Sequence, residues 1–296
     1  MCCRGWKLTS PAFSDSIRID DKNSTKRQQQ IMNNGIKIER AQKSGAAAQG
    51  VRKIILHYHL FKNAGTSLDG AFKKALASDQ WVTRELPVGT VQNSKAAIDW
   101  INSAETAVCF SSHTAELPVP EIEGIDIFPI IFIRHPIDRI ASAYTFEAKQ
   151  NTSNFGSTLA RNTSLAGYIE TRLSIKTDFQ CREFHARRFS AMSLDQKLSL
   201  TDKARYAFNQ LPFVGLVEKY DQSLSELNRQ LKEFGFASLI LKNETLNVSR
   251  SHGLSLEEKL ERIRKEIGDD LYLELEESNS CDLMLYELVS KRYEND

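Results

Sequence analysis

Cysteines and net charge are both scarce in this sequence, and each shortage excludes a class of protein. There are 5 cysteines among 296 residues, and apart from the adjacent Cys2 and Cys3 they lie far apart. Neither a disulfide framework nor a zinc site built from cysteine pairs is therefore indicated, which favours a reducing compartment. The formal net charge is only +1, so no overall field attracts nucleic acid or a membrane surface. We expect any anion-binding site to be built locally.

Long apolar runs are also missing. No stretch approaches the roughly 18 apolar residues of a membrane span, and the N-terminus lacks the apolar core of a signal peptide. We therefore expect a cytoplasmic protein with no transmembrane segment and no nucleic acid partner. A composition of 41% hydrophobic and 26% charged residues suffices for one substantial globular domain.

Residues 1–50 differ in composition from the rest of the chain. They are rich in Ser, Asn, Gln and Lys and contain three consecutive glutamines at 28–30, a composition typical of disordered segments. From Arg52 onward, short apolar runs alternate with amphipathic segments. The sequence therefore predicts a disordered leader over 1–50 and a folded domain over 51–296.

The folded part alternates β-prone runs with segments of helical periodicity. Strands are predicted near 54–60, 107–111, 128–133 and 213–217, and later helices near 164–175, 195–210, 221–234, 255–267 and 282–293. Runs that are apolar throughout indicate strands buried on both faces of a parallel sheet. The predicted fold class is α/β, with a P-loop-like parallel sheet flanked by helices and a helix-rich C-terminal half. Ligands of such sheets bind at the carboxyl ends of the strands.

The segment after the first predicted strand has the features of an anion-binding loop. It reads HLFKNAGTS over 59–67 and contributes Lys62, Asn63, Ala64, Gly65, Thr66 and Ser67 as candidate binding residues. Backbone N–H groups at a helix N-terminus favour a phosphate, Gly65 permits close approach, and Lys62 adds a positive charge. Thr66 is predicted to cap the helix. Because the lysine precedes the glycine, this is not a Walker A loop. An ordinary strand-to-helix turn with a surface lysine is the alternative.

A second candidate segment lies where another predicted strand ends. Arg134 follows that strand, and a proline two residues later starts a helix. The Arg134 guanidinium can bind a phosphate with two N–H groups, and Ser142 can add a hydroxyl if the helix faces the same crevice. Arg139 is predicted to be structural, paired with Asp138 or with a neighbouring carboxylate.

Together the two segments resemble the two signature motifs of sulfotransferases that use 3′-phosphoadenosine 5′-phosphosulfate (PAPS). The lysine followed by small residues, Gly, Thr and Ser resembles the 5′-phosphosulfate loop, and Arg-x-Pro at 134–136 followed by a helical serine resembles the 3′-phosphate motif. The similarity is closest to the carbohydrate branch, which includes heparan sulfate 2-O- and 6-O-sulfotransferases and bacterial relatives, and it covers roughly 52–293. The resemblance implies PAPS as co-substrate, residues 62–67 at the 5′ end, and Arg134 and Ser142 at the 3′-phosphate. We expect no metal to be required, because lysine and backbone dipoles can supply the charge stabilisation that magnesium gives to kinases.

The sequence departs from the animal members of that branch at three points. Asn63 and Ala64 stand where those enzymes more often have Thr and Gly, and His135 replaces a common Asp or Asn. We also expect no counterpart of the Golgi membrane anchor of the animal enzymes, because no long apolar run is present. These departures are consistent with a bacterial-type cytosolic member.

His113 is the candidate general base. It follows the predicted strand over 107–111, so its side chain is expected at the same sheet edge as Arg134. Imidazole titrates near neutrality and suits the removal of a proton from a hydroxyl. The resemblance implies the same role, since the 2-O-sulfotransferases carry a catalytic histidine at a similar place. A loop histidine bonded to backbone is the alternative.

Other histidines carry weaker signals. His57 and His59 share one face of the first strand, as a metal pair would, but no third ligand is apparent nearby, which favours core or cleft-wall histidines. His185 belongs to a basic cluster with Arg182, Arg187 and Arg188. That cluster either faces an anionic acceptor or, as we favour, lies on a solvated helix.

The predicted function is transfer of a sulfuryl group from PAPS to a hydroxyl of a carbohydrate-like acceptor by in-line displacement. Lys62 and His113 are the expected catalytic residues, and the segment 247–253 is a candidate to close over nucleotide or acceptor. Two alternatives stay open. One is a P-loop-like nucleotide-dependent kinase, and the other is a non-catalytic module that binds glycans or nucleotides.

Overall fold

A computed structural model describes residues 51–243 and 253–294 and shows a five-stranded sheet covered by helices. The strands are β1 (Arg52–Tyr58), β2 (Trp81–Thr83), β3 (Cys109–Ser112), β4 (Ile125–Ile133) and β5 (Val214–Leu216). They are ordered β2-β3-β1-β4-β5, and every neighbouring pair is parallel. The predicted α/β class with a parallel sheet is confirmed. The predicted leader over 1–50 and most of the segment 247–253 lie outside the described residues.

The helices that flank the sheet dominate the second half of the chain, as predicted. They are α1 (Gly65–Ala75), α2 (Thr90–Ser103), α3 (Pro136–Lys149), α4 (Phe155–Asn162), α5 (Leu165–Ser174), α6 (Phe184–Ser190), α7 (Leu200–Gln210), α8 (Tyr220–Phe234), α9 (Leu256–Ile267), α10 (Asp269–Glu277) and α11 (Ser280–Ser290). Among the described residues, no helix has both the length and the apolar character needed to cross a membrane.

The two central strands are buried on both faces, which explains their continuous apolar sequence. Neighbouring residues of β1 point to opposite faces, so Leu56 packs into one hydrophobic cluster and Ile55 into the other. In the same way, Ile131 and Phe132 of β4 divide between the two clusters. Burial on both faces holds β1 and β4 firmly in register.

Some element boundaries differ from the prediction. Strand β2 and helices α2, α4, α6 and α10 were not predicted. Strand β2 leaves little signal because it has only three residues and none of them is fully buried. Helix α1 begins at Gly65, and its N-cap is Ala64 in the left-handed conformation. No side chain caps this helix, so the predicted cap by Thr66 is wrong. The turn is set by the backbone at Ala64 and not by a hydroxyl.

The parallel arrangement brings the predicted site segments to one edge of the sheet. β1 ends just before the loop over 59–64, β3 ends immediately before His113, and β4 ends immediately before Arg134. Because parallel strands share the direction of their carboxyl ends, these three segments are neighbours in space although they are far apart in sequence.

Candidate active site

The loop over 59–64, which we call the β1–α1 loop, has a strained backbone. Lys62 and Ala64 both have positive φ angles, of 64° and 60°. A residue with a side chain pays roughly 1–2 kcal/mol to adopt this left-handed conformation. Between them, Asn63 is buried and its side-chain amide donates to the Phe61 carbonyl oxygen over 2.9 Å. Strain of this kind persists only where surrounding contacts hold it, and it concentrates at functional sites.

The Lys62 ammonium group faces an aromatic ring and other cations. Its Nζ lies 4.4 Å from the centroid of the Phe146 ring on α3, and Phe61 meets the same ring edge-on at 5.5 Å. Burial lowers the pKa of Lys62, and the charges of Arg134 and Lys149 lower it further. Within the part of the chain that the structure describes, Lys62 has no carboxylate partner. An anion in this crevice would therefore meet unneutralised positive charge.

Arg134 is oriented by the first turn of α3. Its Nε donates to Asp138 Oδ2 over 2.7 Å, and the Arg134 side chain is only 13% exposed. Asp138 thus pairs with Arg134 and not with Arg139, so the first predicted partner of Arg139 is wrong. Arg139 is structural, as predicted, but it donates to the Gln180 backbone oxygen and packs over the Phe184 ring. In the described ranges the Nη nitrogens of Arg134 have no hydrogen-bond partner, which leaves a two-pronged donor for a ligand.

One face of α3 links the two cationic positions. Asp138, Ser142 and Phe146 are spaced four residues apart and so lie on one side of the helix. At 1.5 Å per residue, about 12 Å separates Asp138 from Phe146. Arg134 is bonded at the first of these positions, Lys62 lies over the last, and the half-exposed Ser142 falls between them. The structure therefore brings Lys62, Arg134 and Ser142 along one side of α3.

Gly65 allows a very close approach between the β1–α1 loop and an imidazole. A Cβ atom added at Gly65 would lie 2.1 Å from Cδ2 of His59. The His59 ring cannot easily yield, because its Nδ1 donates to Asp69 Oδ2 over 2.9 Å and the side chain is largely buried. Glycine is therefore required at this position, because any side chain would clash with the His59 ring.

We expect Gly65→Ala to destabilise the protein by about 1–3 kcal/mol, the usual cost of overpacking a rigid site. Because the clash is at the start of α1, it should also distort the neighbouring loop. Thermal unfolding will measure the loss of stability. Gly167→Ala on α5 is the control, since Gly167 has no positive φ and a Cβ there would come no closer than 3.3 Å to its nearest neighbour, Thr163. Equal effects at the two glycines would contradict the proposed clash.

A buried carboxylate fixes the orientation of two histidines. Asp69 Oδ1 accepts hydrogen bonds from Ser111 Oγ at 2.7 Å and from His57 Nδ1 at 2.8 Å, while Oδ2 accepts from His59 Nδ1. Burial alone would raise the pKa of Asp69, but His57 and His59 outweigh it and hold that pKa well below its usual range. Each imidazole donates from Nδ1, so each Nε2 is left as an acceptor.

The same three residues form a group with metal-ligand character. Potential ligand atoms of His57, His59 and Asp69 lie within 4.8 Å of one another, so the expectation that no third ligand lies near the histidine pair is wrong. Helix α1 returns Asp69 to the side of β1, which the sequence spacing did not reveal. The close contacts between these atoms are those of a hydrogen-bonded cluster, because each Nδ1 donates to the Asp69 carboxylate.

His113 is placed beside this cluster and is oriented by a second carboxylate. Its Nδ1 donates to Glu85 Oε1 over 2.7 Å, and both side chains are about half exposed, at 52% and 56%. Its ring packs against the His59 ring, with 3.9 Å between centroids and an angle of 32° between the ring planes. The alternative of a histidine bonded to backbone is wrong, because its partner is a carboxylate. With Nδ1 engaged by Glu85, the exposed imidazole presents Nε2 as an acceptor for a proton.

Besides Asp138, the carboxyl group of Glu218 also lies near Arg134. Glu218 Oε1 accepts the backbone N–H of His135 over 2.8 Å, while its Oε2 is buried and has no hydrogen-bond partner among the described residues. Burial raises the pKa of Glu218 from 4.5 to about 6, although the His135 N–H and Arg134 pull it downward. Burial also lowers the pKa of His135 to about 4. His135 is therefore neutral at pH 7 and adds no charge to the crevice.

Glu218 should make stability depend on pH. A carboxyl group whose pKa is raised by folding stabilises the fold below its unfolded pKa and loses that contribution as the pH rises through the folded value. We therefore expect part of the free energy of unfolding to be lost between pH 4.5 and about 6. Glu218→Gln keeps the acceptor for His135 and removes the titration. Urea unfolding over this pH range should show a shallower decline in the variant, and parallel curves would contradict the assignment.

His185 is the buried member of the predicted basic cluster. Its side chain is 1% exposed and lies between Asn63 and Asp282, so the expected exposure to water is wrong for His185 itself. Arg187 and Arg188 of the same predicted cluster are exposed. The cluster divides because α6 presents His185 to the interior and the arginines to the outside.

The fold and this edge define an α/β protein with two cationic side chains and a carboxylate-oriented imidazole at the carboxyl ends of its strands. A family model described as the sulfotransferase family matches residues 51–289. The chain therefore belongs to the sulfotransferase family. It is also similar to a protein of Archaeoglobus fulgidus, described as uncharacterized, with 39% identity over 251 residues that cover 82% of this chain and 98% of the relative.

Family membership confirms the coarser part of the resemblance. It supports sulfuryl transfer as the general activity and a transferase as the kind of enzyme. The donor, the acceptor class and the roles of individual residues are not fixed by the match. They stay predictions and rest on the geometry of the crevice.

Proposed function

We propose that the protein transfers a sulfuryl group from PAPS to a hydroxyl of a carbohydrate-like acceptor. One observation carries the proposal: the Lys62 ammonium group, which has no carboxylate partner among the described residues, and Arg134, whose Nε is paired with Asp138 but whose Nη nitrogens are unengaged, lie along one side of α3, with the oriented imidazole of His113 at the same sheet edge. Two separated cations suit a nucleotide with phosphate at both ends, and the imidazole suits a hydroxyl that must lose a proton.

The two ends of the nucleotide would meet different elements. The backbone N–H groups of Gly65 and Thr66 at the start of α1 and the hydroxyl of Ser67 would bind the 5′-phosphate, helped by the helix dipole, while the Ser67 N–H already donates to the Ala64 carbonyl oxygen. The terminal nitrogens of Arg134 and the hydroxyl of Ser142 would bind the 3′-phosphate. The side chain of Asn63 is buried and its backbone N–H donates to the Leu60 carbonyl oxygen over 3.2 Å, so of Asn63 and Ala64 only the backbone N–H of Ala64 would take part in binding.

The proposed chemistry is an in-line displacement at sulfur. The acceptor oxygen attacks the sulfur atom, the bond from sulfur to the bridging oxygen breaks, and the acceptor proton passes to Nε2 of His113. Negative charge then develops on the leaving phosphate, where the Lys62 ammonium group stabilises it. Lysine and backbone dipoles would supply the charge stabilisation that magnesium gives to kinases, so we propose that no metal is required.

Glu85 would act through His113. Its carboxylate holds the Nδ1 proton, orients the ring and stabilises the imidazolium that forms during transfer. We expect Glu85→Gln to lower the turnover number by roughly tenfold to a hundredfold, the range seen when an orienting partner is removed. The affinity for adenosine 3′,5′-bisphosphate should be unchanged, because Glu85 bonds to His113 and not to the nucleotide-binding residues. An unchanged turnover number would remove Glu85 from this role.

The surroundings of Lys62 support a sugar-like acceptor. Phe146 is 39% exposed and pairs with Phe61 beside the Lys62 ammonium group. Such rings offer an apolar face next to polar groups, which suits the mixed surface of a carbohydrate. We also propose a cytoplasmic protein of the bacterial type, without a nucleic acid partner.

Nucleotide-dependent stabilisation tests the proposal. Adenosine 3′,5′-bisphosphate should raise the melting temperature without added metal, and ATP should not do so comparably. A nucleotide kinase would show the reverse order and would need Mg²⁺. Incubation with labelled PAPS and a panel of hydroxylated acceptors would then separate an enzyme from a non-catalytic binding module, because only the enzyme transfers the label.

A further inference from the structure

The side chain of Asn63 anchors the most strained part of the β1–α1 loop. It is 1% exposed and lies between the two residues with positive φ, Lys62 and Ala64. Its amide nitrogen donates to the Phe61 carbonyl oxygen, so its amide oxygen must face the other way, toward the imidazole of His185. The distance from His185 Nε2 to that oxygen is 3.0 Å.

The direction of this hydrogen bond follows from the Asn63 amide. Since the oxygen of Asn63 can only accept, Nε2 of His185 must carry the proton and donate it. The opposite ring nitrogen, Nδ1, faces the Asp282 carboxylate, which also can only accept, so both contacts are hydrogen bonds together only when both ring nitrogens carry protons. His185, on helix α6, thus donates a hydrogen bond to the β1–α1 loop although it is far from that loop in sequence.

His185 is itself held from the opposite side. Its Nδ1 lies 3.1 Å from Asp282 Oδ2, and its backbone N–H donates to the same oxygen over 3.0 Å. The other oxygen of Asp282 accepts the N–H of Ala186 over 2.7 Å. Asp282 is 1% exposed. The carboxylate thereby fixes both the ring and the first turn of α6.

A reciprocal contact locks the two helices together. Glu183, which precedes α6, accepts the backbone N–H groups of Cys281 and Asp282 at the start of α11, over 3.0 and 2.9 Å. Asp282 in turn accepts N–H groups at the start of α6. Each helix start is thus capped by a carboxylate from the other, which gives His185 a rigid base.

We propose that His185 and Asp282 are positioning residues that hold the β1–α1 loop in its ligand-binding shape through the side chain of Asn63. The inference rests on the proposed function, because it assigns this loop to the 5′ end of the nucleotide. The strained backbone at Lys62 and Ala64 needs an external hold, and His185 is the buried partner that reaches the residue between them. Loss of the hold should impair binding at the 5′ end and leave the Arg134 end intact.

Two conservative substitutions separate the contacts of His185. The amide nitrogen of glutamine stands close to the place of Nε2, and that of asparagine stands close to the place of Nδ1. His185→Gln therefore keeps a donor for Asn63, whereas His185→Asn keeps a group facing Asp282 and loses the loop contact. Both variants leave a polar side chain in the interior, which makes them a matched pair.

Calorimetric affinities for two nucleotides test the proposal. We expect His185→Asn to weaken binding of adenosine 3′,5′-bisphosphate by about tenfold, the loss of one hydrogen bond, and to leave binding of adenosine 3′-phosphate unchanged. His185→Gln should restore most of the bisphosphate affinity. Equal affinities in His185→Asn and the wild type, or an equal loss for both nucleotides, would overturn the proposal.

Asn63→Ala gives the same test from the loop side and decides the matter if His185→Asn fails to fold. It should show the same selective loss, and the double variant Asn63→Ala with His185→Asn should bind no more weakly than the weaker single variant. Additive losses would show that His185 does not act through Asn63. A wild-type protein that binds neither nucleotide would instead refute the proposed function, which keeps the two failures distinct.

Discussion

Lys62→Ala is expected to lower the turnover number by about a hundredfold to a thousandfold, the typical loss when a preorganised charge is removed from a developing anion. The ammonium group lies in a crevice where burial and the neighbouring cations Arg134 and Lys149 already lower its pKa. A negative leaving group would relieve that repulsion. The interaction therefore strengthens as the bond to sulfur breaks, and its removal should affect turnover more than affinity.

Lys95→Ala is the control for Lys62→Ala. Lys95 is an exposed lysine on α2, so its loss changes the net charge equally without touching the crevice. Rates are to be measured with labelled PAPS and the acceptor that the screen identifies. Turnover in Lys62→Ala equal to that of Lys95→Ala would show that the Lys62 charge plays no part in transfer.

His113→Ala is expected to lower the turnover number by about a hundredfold to ten-thousandfold, which is the contribution of a positioned general base. The variant should bind adenosine 3′,5′-bisphosphate as tightly as the wild type does, because the His113 ring contacts Glu85 and His59 and not Lys62 or Arg134. Single-turnover rates and calorimetric affinities measure the two effects separately. A wild-type rate in this variant would require another base, and His59, with its Nε2 left as an acceptor, would be the first to examine.

The strands that carry the site could be predicted because their burial leaves a strong local signal. β1 and β4 are buried on both faces along most of their length, and their apolar runs, 54–56 in β1 and 128–133 in β4, identify them without any knowledge of the partner strand. Once a parallel sheet is assumed, the segments that follow its strands must share an edge. Lys62, His113 and Arg134 could therefore be assigned to one edge from the sequence.

The groups that orient the site residues could not be predicted. Asp69 bonds to His57 and His59 only because α1 folds back over β1, and Glu85 reaches His113 from a segment beyond α1. These contacts join residues that are distant in sequence, and neither helical nor strand periodicity records them. One local sign was present: Asp69 stands among apolar residues of α1, and a carboxylate in such a place is expected to have a bonding partner.

The loop conformation shows a different limit of sequence reasoning. A left-handed residue is expected to be glycine, yet Lys62 and Ala64 adopt that conformation beside Gly65, whose role is to make room for His59. The strain is tolerated because Asn63 and its partner His185 hold the turn from below. Residue propensity predicts the preferred backbone conformation, but at Lys62 and Ala64 tertiary contacts determine the conformation that is adopted.

The central claim is that Lys62 and Arg134 hold the two ends of one nucleotide. Calorimetric titration of the wild-type protein with adenosine 3′,5′-bisphosphate, adenosine 5′-phosphate and adenosine 3′-phosphate tests it most directly. The bisphosphate should bind at least about tenfold more tightly than either monophosphate, since each end of the crevice contributes its own contacts. A monophosphate that binds as tightly as the bisphosphate would show that one of these ends takes no part, and would contradict the account.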